Sequence, residues 1–189
     1  MPLRSAGVEI RWDEGIRELR NLDESQASSE DGLYLNHSYA DYRGVPIDEA
    51  IECAEEEAQL LADLAEAGWD TEEAEEVVED NMGAMGLTSH LDPGVAGLVM
   101  AISALGGTPI SSCNGGLVGT SAHMSDVPNI LFTAPPDTMD RIIQQAMGSG
   151  VGLIFNEGYA EAFVDHLPNF HRLARKLLDL PPLATTTSN

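Results

Sequence analysis

Between Asp92 and Leu180, glycine and proline cut the chain into short apolar segments, each long enough for one helix or one strand. This punctuation constrains the fold more than any other feature. Asp92-Pro93 places an N-cap ahead of a proline at the first helical position, predicting a helix to Leu105 that Gly106-Gly107 stops. Thr108–Ser112 reads as a strand, 114–127 as a Gly/Ser loop and Asn129–Thr133 as a second strand. Asp137 then caps a helix to Met147, closed by Gly148 and Gly150. Val151–Phe155 and Tyr159–Val164 flank Asn156-Glu157-Gly158 and read as a hairpin. Pro168 opens a last helix to about Leu180. The order α-β-β-α-β-β-α implies a mostly antiparallel sheet with helices on it, an α/β (α+β) sandwich.

The N-terminal half has a different texture. Val8, Ile10 and Trp12 alternate within Gly7–Trp12, as in a short strand, and Asp23–Asp31 reads as an acid- and serine-rich loop. Pro46 fits the first turn of a helix whose apolar face is Ile47, Ile51, Ala54, Ala58, Leu61 and Ala65, ended by Gly68. Asp70 and Glu73 form a capping-box-like start for a helix from Thr71 to about Met82. We therefore expect an acidic extension, residues 1–87, with a helical hairpin at 46–82. A core domain at 88–180 and a frayed tail at 181–189 would follow.

Charge narrows the function classes. The net charge is −23, and residues 1–90 hold 24 of the 32 acids but only 5 of the 9 bases. Phosphate backbones are bound by Lys and Arg that displace counterions, so direct nucleic-acid binding is disfavoured. No run of about 18 apolar residues is present, so no membrane span is expected. Two cysteines, Cys53 and Cys113, do not make a disulfide framework, and no apolar signal core opens the chain. The expectation is a soluble, cytoplasmic protein.

One turn has the composition of a site. Cys113 ends a strand where Ser111-Ser112-Cys113-Asn114-Gly115-Gly116 begins a glycine-rich loop. Gly115 and Gly116 allow close backbone approach and expose N–H groups to an anion, while Ser111, Ser112 and Asn114 add side-chain donors and acceptors. A small, nucleotide-like ligand would suit that set. Cys113 has three readings: nucleophile, pocket lining, or small buried hydrophobe. As a nucleophile it would take His123 as base and Asp126 as orienter. No CxxC, HxH or HExxH spacing occurs, so no metal site is expected.

The same residues carry a resemblance. Leu98-Val99-Met100-Ala101-Ile102-Ser103 followed by Ile110-Ser111-Ser112-Cys113-Asn114-Gly115-Gly116 resembles the core of the wybutosine-synthesizing tRNA methyltransferase family over about 91–155. The resemblance implies an α/β core, a pocket at 111–116, S-adenosylmethionine as cofactor and methyl transfer as chemistry. Where the family has an arginine after its glycine, this chain has Gly116.

The acidic hairpin offers a second reading. Residues 47–82 contain 15 Asp/Glu and no Lys or Arg. Charge runs are usually solvated faces. The functional alternative is a docking surface for a basic protein, with the chain acting as an inhibitor, immunity protein or regulatory subunit. Glu55, Glu56, Glu57, Glu72, Glu73, Glu75, Glu76, Glu79 and Asp80 would form it.

Overall fold

The computed structural model describes residues 5–27, 40–69, 72–82, 91–118 and 125–179. A 3-10 helix, Glu14–Glu18, and a short helix α1 (Glu24–Ala27) precede α2 (Ile47–Ala67) and α3 (Glu72–Met82). Then come α4 (Ala96–Ala104), β1 (Thr108–Cys113), β2 (Asn129–Thr133), α5 (Pro136–Ala146), β3 (Val151–Asn156), β4 (Tyr159–Val164) and α6 (Pro168–Leu178). The architecture is mixed α/β with one antiparallel sheet of order β1-β2-β4-β3. β4 is inserted between β2 and β3, and α5 carries the chain over it.

Strand alternation gives the sheet two unlike faces. Ile130, Phe132, Val151, Leu153, Ala160, Ala162 and Val164 are fully buried in the core under the helices. In the intervening positions two rows cross the sheet on the other face. One is Cys113, Asn129, Phe163 and Gly152; the other is Ser111, Leu131, Glu161 and Ile154. A bulge between Pro109 and Ser111 adjusts β1. The β3–β4 turn puts Glu157 and Gly158 at φ 49° and 100°. Two successive positive φ angles match the twist of a tight hairpin.

α4 contacts α2, α6 and β1, so it needs no polar face, and every residue from Ala96 to Ser103 is buried. α2 forms a further layer over α4 and α6. One hydrophobic core runs from Ala50 and Leu64 of α2 through Leu98 and Phe170 to the sheet. Burying leucines such as Leu60 and Leu64 contributes about 1.5–3 kcal/mol each.

Several boundaries differ from the sequence reading. α4 begins at Ala96 with Val95 as N-cap, and Asp92 caps the Asn114 N–H instead. Asp23 starts a helix within the expected loop, exchanging hydrogen bonds with Gln26. The buried face of α2 is Ala50, Cys53, Ala54, Glu57, Leu60, Leu61 and Leu64. It shares only Ala54 and Leu61 with the expected stripe, because leaving Glu57 out of the pattern turned the face. The expected strand Gly7–Trp12 has no regular structure up to Arg11, and Trp12 forms an isolated bridge to Leu153. The tail at 181–189 lies outside the described residues.

Candidate functional site

The turn after β1 is built first from its own hydrogen bonds. The Asn114 N–H donates to Asp92 Oδ2 (3.1 Å), Gly115 N–H to Cys113 Sγ (3.3 Å) and Gly116 N–H to Asn114 Oδ1 (3.1 Å). Leu117 N–H reaches Asn114 O. Asn114 is fully buried, and its Nδ2 donates to Pro93 O and Val118 O. These N–H groups are engaged within the turn, so they do not form an open anion cradle. Gly115 sits at φ 69°, where a Cβ would lie 2.7 Å from Pro128 N. Glycine is required there by the neighbouring backbone.

Of the expected triad, Cys113 and Asp126 are among the described residues. Cys113 is buried, 6% exposed, and its thiol faces the Ser125 carbonyl at 3.8 Å. Asp126 is exposed and makes no hydrogen bond among the described residues. His123 lies outside them. Ser111 belongs to the open face, while Ser112 pairs with Ile130. Both serines are half-buried.

Beside this turn, the open face of the sheet carries a pocket of about 420 Å³. Ile154, Phe163, Val127 and Val8 make its apolar wall, and Glu161, Ser125, Glu9 and Arg11 its polar groups. Ser125 also holds the Cys113 thiol, so turn and pocket share a wall. On the strand between β2 and β3, Glu161 receives a carboxamide from each neighbour. Asn129 Nδ2 donates to Oε1 (2.9 Å) and Asn156 Nδ2 to Oε2 (2.8 Å). No ion pair forms at Glu161 among the described residues. No family model, curated protein or solved structure matches the chain. Its site therefore rests on this geometry.

The N-terminal segment closes one side. Asp165, just after β4, accepts from the Ser5 hydroxyl (2.6 Å) and from the Gly7 (2.7 Å) and Val8 (3.3 Å) N–H groups. The Ser5 hydroxyl, then the two backbone N–H groups and His166, hold the Asp165 carboxyl below the usual carboxylate range against partial desolvation. Farther along, Leu153 N–H donates to Arg11 O and Asp13 N–H to Leu153 O. Val8, Glu9 and Arg11 lie between these anchors as a strap along the pocket. Gly152 makes room for the tip of the Phe163 ring, since a Cβ there would lie 2.3 Å from its Cζ.

The sequence reading missed Glu161, Asn129 and Asn156. The available signal was a glutamate in phase with the polar side of Tyr159-Ala160-Glu161-Ala162-Phe163.

The acidic hairpin divides. Glu55, Glu56, Glu72, Glu73, Glu75, Glu76, Glu79 and Asp80 are exposed. Glu57 is not: it is fully buried between α2, α4 and α6, and neither carboxylate oxygen has a hydrogen-bond partner. His171 Nδ1 lies 3.7 Å from Oε2. The His171 side chain is mostly buried. Burial, with the carboxylates of Glu57 and Glu56, pushes the Cys53 thiol well above its usual range. Among the described residues, no group of His, Cys, Asp and Glu could hold a metal, and no helix is long and apolar enough to cross a membrane.

Proposed function

We propose that this chain is a small-molecule-binding protein whose site is the open-face pocket, with the Ser111–Gly116 turn as its adjoining wall. The observation that carries this reading is Glu161. Two neutral donors from different strands fix a carboxylate in a concave, partly apolar surface, and no ion pair forms at it among the described residues. Fixing a charged side chain costs rotamer entropy, and a merely solvated glutamate needs no such support. A pocket of this volume suits a metabolite-sized ligand.

The test is a thermal-shift screen of wild type, Glu161→Gln and Phe163→Ala against amines, nucleotides, S-adenosylmethionine and common metabolites. A ligand at 100 times its Kd should stabilise wild type by about 2.7 kcal/mol. Loss of that shift in both variants supports the pocket; an undiminished shift in both moves the site elsewhere. S-adenosylmethionine is included because of the family resemblance, and a hit in this pocket would extend the proposal to methyl transfer.

The second reading is docking of a basic protein on the hairpin. It is favoured by exposed acids along both α2 and α3, of which only Glu55 approaches a cation, Arg175 at 3.8 Å, among the described residues. Charge reversal at Glu72, Glu73, Glu75 and Glu76 would abolish such docking and leave pocket binding intact.

A further inference from the structure

Resting on the pocket reading above, we infer that the group recognised at Glu161 is an organic cation, a primary ammonium or amidinium carried on an apolar body. Carboxamide N–H groups orient a carboxylate but cannot neutralise it. Asn129 and Asn156 each occupy one position on one oxygen, so each oxygen keeps a further acceptor site. Among the described residues Arg11 is the cation that lines the pocket; it is exposed, forms no ion pair with Glu161 and is matched by Glu9, so the described lining is net negative.

Apolar neighbours strengthen this preference. Ile154, Phe163, Val127 and Val8 reduce solvent screening around the carboxylate, which raises the attraction for a cation and the repulsion of an anion. They also favour an apolar ligand body. The chain as a whole, at −23, concentrates cations and repels anions at its surface. A phosphate or carboxylate group seated on Glu161 runs against all of these terms.

The experiment is binding of 2-phenylethylamine, benzamidine, 2-phenylethanol and phenylacetate to the full chain, followed by amide shifts in NMR. Wild type should bind both cations, with perturbations at Val8, Val127, Ile154 and Phe163. Glu161→Gln, which preserves size, should weaken them by about tenfold, as expected for loss of a charge-assisted bond. Wild-type affinity for the amine should fall as NaCl rises, independently of any variant. Binding of the alcohol or phenylacetate at least as tight as the amine would overturn the cation inference and leave the pocket reading standing. Salt-insensitive amine binding unchanged in Glu161→Gln would do the same. If none of the four probes moves the pocket resonances, both ideas fall.

Discussion

Two glutamates sit in opposite circumstances on the two sides of this molecule. Glu161, on the open face, has a donor for each oxygen and remains half-exposed to a pocket. Glu57, in the helical layer, is fully buried with neither oxygen hydrogen-bonded and a histidine nitrogen 3.7 Å away. The first arrangement supports a charge where a ligand can reach it. The second withdraws a carboxylate from water without replacing its hydration, which is destabilising. Support plus access marks a binding group; burial without support marks a structural cost. The two therefore respond oppositely to substitution.

The largest effect is expected from Gly97, which faces Glu57 across α2 and α4. A Cβ there would lie 2.6 Å from Glu57 Oε2 and 3.4 Å from Ala54 Cα. Gly97→Val should destabilise the fold by about 1–3 kcal/mol, as overpacking does. In a urea-denaturation cycle, Glu57→Ala should recover part of that loss. Strict additivity would mean that the carboxylate and the glycine are not coupled.

Next is Glu57 itself. Glu57→Met fills the same space without a carboxylate and should raise stability by about 1 kcal/mol, the low end of what replacing buried ion pairs by apolar groups gives. Pocket binding should be unchanged. A clear fall in Tm would show that the Glu57–His171 contact is net stabilising and would erase the contrast. Glu161→Gln should change stability by less than about 0.5 kcal/mol, the usual range for a partly exposed site. Its measurable consequence is lost binding.

The smallest effect is local and pH-dependent. Asp165 has a lowered folded-state pKa, so its contribution is fully present above the usual carboxylate range and is lost as pH falls through the lowered value. The strap at Ser5–Val8 should therefore loosen only in acid, below about pH 4. Amide exchange at Gly7 and Val8, measured against Gly152 on the sheet, should accelerate there first. Asp165→Asn should show that fast exchange already at neutral pH.

Legibility followed how local each cause was. β2 was readable to its end residues, and the β3–β4 turn from Asn156-Glu157-Gly158, because alternation and turn chemistry are written within a few positions. Gly68 likewise closes α2 in the left-handed region at φ 95°. Trp12 alternates with Val8 and Ile10 in the sequence, yet it is 44% exposed and lies along β3, with Nε1 bonded to Val151 O. Nothing near Trp12 encodes that pairing. Asp92 has the composition of a helix cap, but its acceptor serves a turn 22 residues away. Glu57 was hidden by its neighbours. In a run of acids its burial is legible only through spacing, three and four residues from Ala54, Cys53, Leu60 and Leu61.

The insertion of β4 between β2 and β3 also fixes how the site is put together. Asn129 is laid down first, Asn156 comes after the α5 crossover, and Glu161 arrives last, on the strand that fills the gap. β3 is hydrogen-bonded in the sheet to β4 alone, so Asn129 and Asn156 are brought to one side chain only when β4 occupies the lane between their strands. A bound ligand would thus act as a signature of finished folding, because it can select only molecules in which that lane is filled.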